Sequence, residues 1–291
     1  MADQTVFNAE FYQKLNTMRL TIKMKLAAGQ NGGRKSNAKG SSVEFSDFRE
    51  YILGDDIRRI DWNAYGRFDK LFVKLFMEEK EGNFHIFIDG SKSMDFGEKS
   101  KSTCALRVAA ALSYVVLDNL DRLHMNVIRD KSVERNKSVT GKQAFAKTIN
   151  QLENVTFESG SDILAALNTY KFSGRGVSIV ISDFYTNDLE EILKCLSFRK
   201  QEIILIQVLS REEVNPKFDG TVKLMDSELP SSVRVTMSGN LQKEYKKSYD
   251  KFVHRIDSLC KKYAASYIPI VSDESLDSIM FGSLSKVGNR I

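Results

Sequence analysis

Asp89, Ser91 and Ser93 stand at alternate positions where the chain leaves a short apolar run, Phe84 to Ile88. A run of this length bounded by polar residues reads as a buried strand, so the three oxygens fall on the loop at its carboxyl end. Alternate loop residues can turn their side chains toward one point. One carboxylate and two hydroxyls around a point form a hard-oxygen set of the kind that Mg²⁺ or Mn²⁺ takes, octahedrally, at about 2.1 Å. An Asp-x-Ser-x-Ser triplet arises often by chance, and a second carboxylate gives it weight. Asp183 ends another apolar run, Val177 to Ser182, in the same manner. Between them, Ser159-Gly160-Ser161-Asp162-Ile163 reads as a loop entering a helix, and Ser161 adds a further hydroxyl. The candidate metal ligands are Asp89, Ser91, Ser93, Ser161 and Asp183. They meet if the two runs are neighbouring strands where strand order reverses, since α/β sheets bind ligands there.

The elements that must position them follow from periodicity. Phe11, Leu15, Met18, Ile22 and Leu26 predict an amphipathic helix over about 8–28, and the Gly-, Ser- and Lys-rich stretch 29–42 predicts a loop. Residues 71–78 alternate as a strand. Residues 99–119 are apolar nearly all round, as in a helix buried against a sheet. Strands are expected near 125–128, 133–138, 177–182, 203–209 and 267–270. Helices are expected near 142–152, 162–169, 189–198 and 245–263, with another after the last strand and a small hairpin at 221–236. Alternating β and α elements predict a doubly wound, mostly parallel sheet flanked by helices. The expected division is an N-terminal helix, basic loop and β block over 1–82, and the α/β domain over 83–291.

A chain of 291 residues, 42% hydrophobic and 28% charged, can bury a full core. No stretch reaches the roughly 18–20 apolar residues of a membrane span, and no leader pattern is visible, so a cytoplasmic protein is expected. Cys104, Cys195 and Cys260 are few and widely spaced and read as reduced thiols. The net charge of +5 is uneven: residues 11–43 hold seven Lys and Arg and no acid. Such a segment can bind nucleic acid, but it lacks the interleaved aromatics of single-strand binders, and a solvated helix face is the expected reading.

Strand, Asp89-Gly-Ser-Lys-Ser-Met94, buried helix, Gly160-Ser-Asp-Ile163, then strand and Ser182-Asp183 together resemble a von Willebrand factor A domain with its metal-ion-dependent adhesion site. The resemblance covers about 83–272 and implies that Asp89, Ser91, Ser93 and Asp183 are metal ligands. Ser161 takes the place usually held by Thr. Upstream, Ser42 to Tyr51, Gly54-Asp-Asp-Ile-Arg-Arg-Ile-Asp-Trp62, Gly66-Arg67 and Leu71 to Lys74 resemble the bacterial family called "domain of unknown function 58", which joins this block to a von Willebrand A-like domain. That resemblance implies a MoxR-type AAA+ ATPase as partner, with this protein as adaptor or co-chaperone.

The expected function is a non-enzymatic, Mg²⁺-dependent protein-interaction module whose metal takes an acidic residue of a partner. A phosphate-ester hydrolase is the alternative, though it ordinarily holds two metals with more carboxylates. Nucleic-acid binding through the basic segment is a weaker one. Arg49, Arg58, Arg59 and Arg67 could form a docking surface. The expectation favoured here is an internal ion-pair lattice of these arginines with Asp55, Asp56 and Asp61 around a packed Trp62. Glu78-Glu79 reads as a solvated strand end. His85, His124 and His254 are too scattered for catalysis and read as packed or surface histidines.

Overall fold

The computed structural model describes residues 6–17, 43–78, 82–98, 100–158, 160–216, 221–225, 232–236 and 239–283. In chain order these form a helix over 9–17 (α1), β1 (Val43–Glu50), α2 (Trp62–Phe68), β2 (Phe72–Glu78), β3 (Asn83–Asp89), α3 (Lys101–Asp118), β4 (Arg122–Arg129) and β5 (Ser132–Arg135). There follow α4 (Phe145–Glu153), α5 (Ile163–Thr169), β6 (Gly176–Ser182), α6 (Leu189–Phe198), β7 (Gln201–Leu209), α7 (Arg211–Val214), β8 (Thr221–Met225), β9 (Ser232–Thr236), α8 (Gly239–Lys262) and β10 (Ser266–Val271). A π-helical turn, Ser278–Ser283, stands where a C-terminal helix is expected. The basic loop 29–42 and residues 18–28 of the expected first helix lie outside the described residues.

The chain divides into two compact units, residues 29–81 and the remainder. This corrects the expected division, which put the first helix with the β block. Phe7, Phe11 and Leu15 are buried in the core of the large unit, and Arg107 Nε donates to the Val6 carbonyl at 2.9 Å. The apolar stripe of α1 has its partner there.

The large unit is a six-stranded sheet in the order β10-β7-β6-β3-β4-β5. All pairs are parallel except β4–β5, an antiparallel edge. β3 and β6 are near-continuously apolar because helices cover both faces. Alternation along β3 divides the core. Phe84, Ile86 and Ile88 face α1, α3 and α4, while Phe87 packs with α5, α6 and Ile256 and Cys260 of α8. After β3 the chain adds β4 and β5 on one side, then returns to add β6, β7 and β10 on the other. The switch point therefore lies between β3 and β6, which pair directly from Phe84–Val177 to Ile88–Ile181.

The small unit pairs β1 with β2 antiparallel, with a register shift between Phe45 and Asp47. Asp56 caps a 3₁₀ turn at Ile57–Arg59. Asp61 caps α2, accepting from the Asn63 and Ala64 amides at 2.9 and 3.2 Å.

His85 and His124, paired across β3 and β4, stack at 4.3 Å. His85 is fully buried, its Nδ1 lies 2.9 Å from Tyr170 Oη, and its Nε2 has no hydrogen-bond partner among the described residues. Burial, then the neighbouring His124, push its pKa down to about 3. The ring is thus neutral in the fold, while the unfolded chain takes a proton below about 6.5. Its contribution is complete above that pH and is lost as pH falls toward 3. Between pH 7 and 5 this one group costs about 2 kcal/mol. Urea unfolding of wild type and His85→Phe at the two pH values should show the variant losing that much less.

Candidate metal centre

Asp89 and Asp183 come together because β3 and β6 are neighbours ending side by side. Both are buried, at 2% and 3% exposure. Asp89 Oδ2 accepts from Ser182 Oγ at 2.6 Å, and its Oδ1 from the Ser91 amide at 3.0 Å. Burial first, then the Asp183 charge, raise the Asp89 pKa; bonds from Ser182, Ser91 and Ser161 oppose the rise. Ser161 is carried to Asp89 by a parallel bridge to Asp130, with the Asp130 amide on the Gly160 carbonyl at 2.8 Å. Residue 159 lies outside the described residues.

The structure thus brings all five predicted side chains to one place. Ser91 Oγ and Ser93 Oγ are 3.0 Å apart, and Ser93 Oγ donates to Asp183 Oδ2 at 3.0 Å. Adjacent oxygens of an octahedron with bonds of about 2.1 Å lie about 3.0 Å apart, √2 times the bond length. The donor set is wholly hard oxygen. Among the described residues no cluster of three or more His, Cys, Asp or Glu could hold a metal; a centre here would rest on two carboxylates and hydroxyls. On donor chemistry and oxygen spacing, the residues fit Mg²⁺ or Mn²⁺.

The backbone is bent at this site. Phe184, directly after Asp183, has φ +58°, a conformation that costs a non-glycine residue stability and concentrates at functional sites. Gly90 passes so close to β4 that a Cβ there would lie 2.8 Å from the Ile128 carbonyl oxygen and 2.9 Å from Val127 Cγ1.

Sequence reasoning missed three side chains. Ser182 braces Asp89. Lys101, 1% exposed, places Nζ 2.9 Å from Asp183 Oδ2 and 2.8 Å from Glu213 Oε1. Glu213 belongs to α7, which the strand-and-helix pattern did not show. A readable signal existed: Lys101 opens a buried helix, where the helix dipole disfavours a cation. The network sets three carboxyl groups, of Asp89, Asp183 and Glu213, against one lysine.

Of the expected arginine lattice, one pair is formed among the described residues, Arg49 with Asp55. Arg49 Nη2 binds both Asp55 oxygens, at 2.8 and 3.0 Å. The Ile52 amide, then Arg49, hold Asp55 below the usual carboxylate range. Asp56 and Asp61 instead cap turns, and Asp61 pairs with Lys74 at 3.3 Å. Arg58, Arg59 and Arg67 are exposed. Trp62 is 64% exposed and anchors no core. Short local caps outcompete long side chains for these carboxylates.

A family model described as "Protein of unknown function DUF58" matches residues 47–255. Two relatives, "Uncharacterized protein Rv1480" of Mycobacterium tuberculosis and "Uncharacterized protein Mb1516" of Mycobacterium bovis, are each 28% identical over 222 residues, covering 74% of this chain and 70% of the relative. Among solved structures, BatB from Bacteroides thetaiotaomicron is similar with a TM-score of 0.44 at 15% identity, over 71% of this chain and 98% of that one. The SpRpn10 VWA domain is similar with a TM-score of 0.40 at 10% identity, over 69% and 94%.

Asp89→Asn removes the charge that Asp183 opposes. In EDTA its melting temperature should rise, by about 2–4 °C for each kcal/mol relieved. Millimolar Mg²⁺ should raise the wild-type melting temperature and leave the variant unmoved. Gly90→Ala should cost about 1–3 kcal/mol through overpacking and abolish the Mg²⁺ response, both read by urea unfolding with and without the ion.

Proposed function

This chain belongs to the DUF58 family, and from that premise we propose that it is a divalent-cation-dependent protein-interaction module, acting in the cytoplasm, whose partner presents a carboxylate to the centre at Asp89 and Asp183. One observation carries the reading: two buried carboxylates at neighbouring strand ends stand beside two serine hydroxyls, with Ser91 Oγ 3.0 Å from Ser93 Oγ and Ser93 Oγ 3.0 Å from Asp183 Oδ2. Asp89, Ser91, Ser93, Ser161 and Asp183 would hold the ion. When bound, Mg²⁺ or Mn²⁺ supplies a Lewis-acidic position for a partner's Asp or Glu. The chain's own residues do the rest. Ser182 and the Ser91 amide aim Asp89, and the Tyr185 amide, 3.2 Å from Asp183 Oδ1, aims Asp183. Gln207 Nε2 pins the Asp183 carbonyl at 2.9 Å.

The partner that the family resemblance implies is a MoxR-type AAA+ ATPase, with this protein as adaptor. A hydrolytic role is less well supported. It needs a general base at the metal, and the groups around these ligands are an ammonium, hydroxyls already hydrogen-bonded to carboxylates, and the Glu213 carboxylate, which is paired with that ammonium. No helix among the described residues is long and apolar enough to cross a membrane. The basic segment behind the nucleic-acid alternative lies mostly outside the described residues.

A second reading has its own observation. In the small unit Leu53, Ile57, Trp62 and Phe68 are 96, 64, 64 and 66% exposed. Beside them in sequence, Arg58, Arg59 and Arg67 form no ion pair among the described residues. Trp and Arg are the residue types that most often carry interface energy, so docking through this unit would not need the metal.

Pull-down of a purified cognate MoxR-type ATPase in Mg²⁺ separates the two. On the first reading EDTA or Asp89→Ala weakens binding at least tenfold, about 1.4 kcal/mol, while an Arg58→Ala/Arg59→Ala double variant binds normally. The reverse pattern supports docking through the small unit. Asp89-dependent turnover of a phosphate ester would instead establish the hydrolase.

A further inference from the structure

Lys101 brings its amino group to the edge of a site read above as a divalent-cation site. Phe96 and Tyr185, with ring centroids 6.0 and 5.7 Å from Nζ, wall the ammonium in. Its own helix disfavours it, because it opens α3 at the positive end of the dipole; Asp183 and Glu213 compensate. Asp183 Oδ2 accepts from both Ser93 Oγ and Lys101 Nζ, which fills both lone pairs of that oxygen. A divalent ion drawing on Asp183 and Ser93 must take one of those places. The Ser93 hydroxyl can turn its proton away. The ammonium cannot shed its charge by turning, and it repels the incoming ion.

Glu213 offers the ammonium a second seat. It is the third residue of a capping box: the Ser210 amide donates to Glu213 Oε2 at 2.7 Å, and the Glu213 amide to Ser210 Oγ at 3.1 Å. The Glu213 carbonyl accepts from Tyr245 Oη of α8. Tyr185 stacks on Phe252 of α8 at 5.1 Å.

We infer that Lys101 is a tethered counter-ion: it holds Asp183 when no divalent ion is present, lowers the affinity of the centre for one, and leans onto Glu213 when one binds, so that α7 and α8 register occupancy. This rests on the metal reading above. Lys101 is a positioning residue here, acting through Asp183 and Glu213.

The test is calorimetric titration of Mg²⁺ alone into the full chain, as wild type, Lys101→Met and Glu213→Gln, with amide hydrogen exchange at saturation. Lys101→Met should bind at least tenfold more tightly, about 1.4 kcal/mol, a gain that structural damage would not produce. Glu213→Gln should bind more weakly. Mg²⁺ should change exchange in α7 and α8 of wild type but not of Lys101→Met. Equal or weaker affinity in a folded Lys101→Met overturns the inference and leaves the metal reading standing. Unchanged exchange in metal-bound wild type overturns the link to α8. Absence of heat with both wild type and Lys101→Met overturns the metal reading and the inference together. If Lys101→Met does not fold, as checked by circular dichroism, Glu213→Gln decides alone: weaker binding supports the inference, and unchanged binding overturns it.

Discussion

Two carboxylates buried side by side are the constraint around which the large unit is organised. Asp89 and Asp183 repel one another in a medium where charge is costly, and that repulsion contributes to the raised Asp89 pKa. The fold tolerates them by surrounding both with donors. Ser182, the Ser91 amide and Ser161 serve Asp89, while Ser93, Lys101 and the Tyr185 amide serve Asp183. Ser182, Ser91, Ser93 and Tyr185 come from the strand ends or the turns after them, Ser161 from the loop entering α5, and Lys101 from the first residue of α3. An arrangement that favours the protein's own stability alone would not place like charges together.

The sheet supplies the rigidity that such a site requires. β3 and β6 are central strands with fully buried flanks, so their ends are held by packing on both faces, and site groups on rigid elements keep their geometry. The left-handed φ at Phe184 and the close passage of Gly90 against β4 lie in the turns that carry Asp183 and Asp89, though left-handed residues also occur elsewhere, at Asp69, Leu120, Asp130, Lys200 and Ala264. The lysine at the start of α3 adds a second layer. It couples the centre to α7 and α8, elements that contribute no ligand themselves.

The small unit teaches a different lesson about charge. Dense alternating acids and arginines suggest mutual satisfaction, yet the acids are taken up by backbone amides at short range. Asp56 and Asp61 sit immediately before the turns they cap. A neighbouring amide costs little side-chain entropy to reach, whereas fixing a long arginine costs much more. Among the described residues Arg49 competes, through a two-oxygen contact with Asp55, and Lys74 reaches Asp61 at 3.3 Å.

Much of this protein was legible in its sequence. Apolar runs of strand length and the 3.6-residue stripes located nearly every strand and helix of the large unit, because local burial imposes those periods. The strand-end position of Asp89 and Asp183 was visible for the same reason. What the sequence could not determine was which strands are neighbours. Only the register of β3 on β6 turned two separate carboxylates into one site. Lys101, Ser182 and Glu213 were hidden because their partners lie 82, 93 and 112 residues away, and no local pattern encodes such pairs. The assignment of α1 to the large unit and the exposure of Trp62 likewise depend on which surface covers which. That is decided by packing between distant segments, to which a single chain's periodicity is blind.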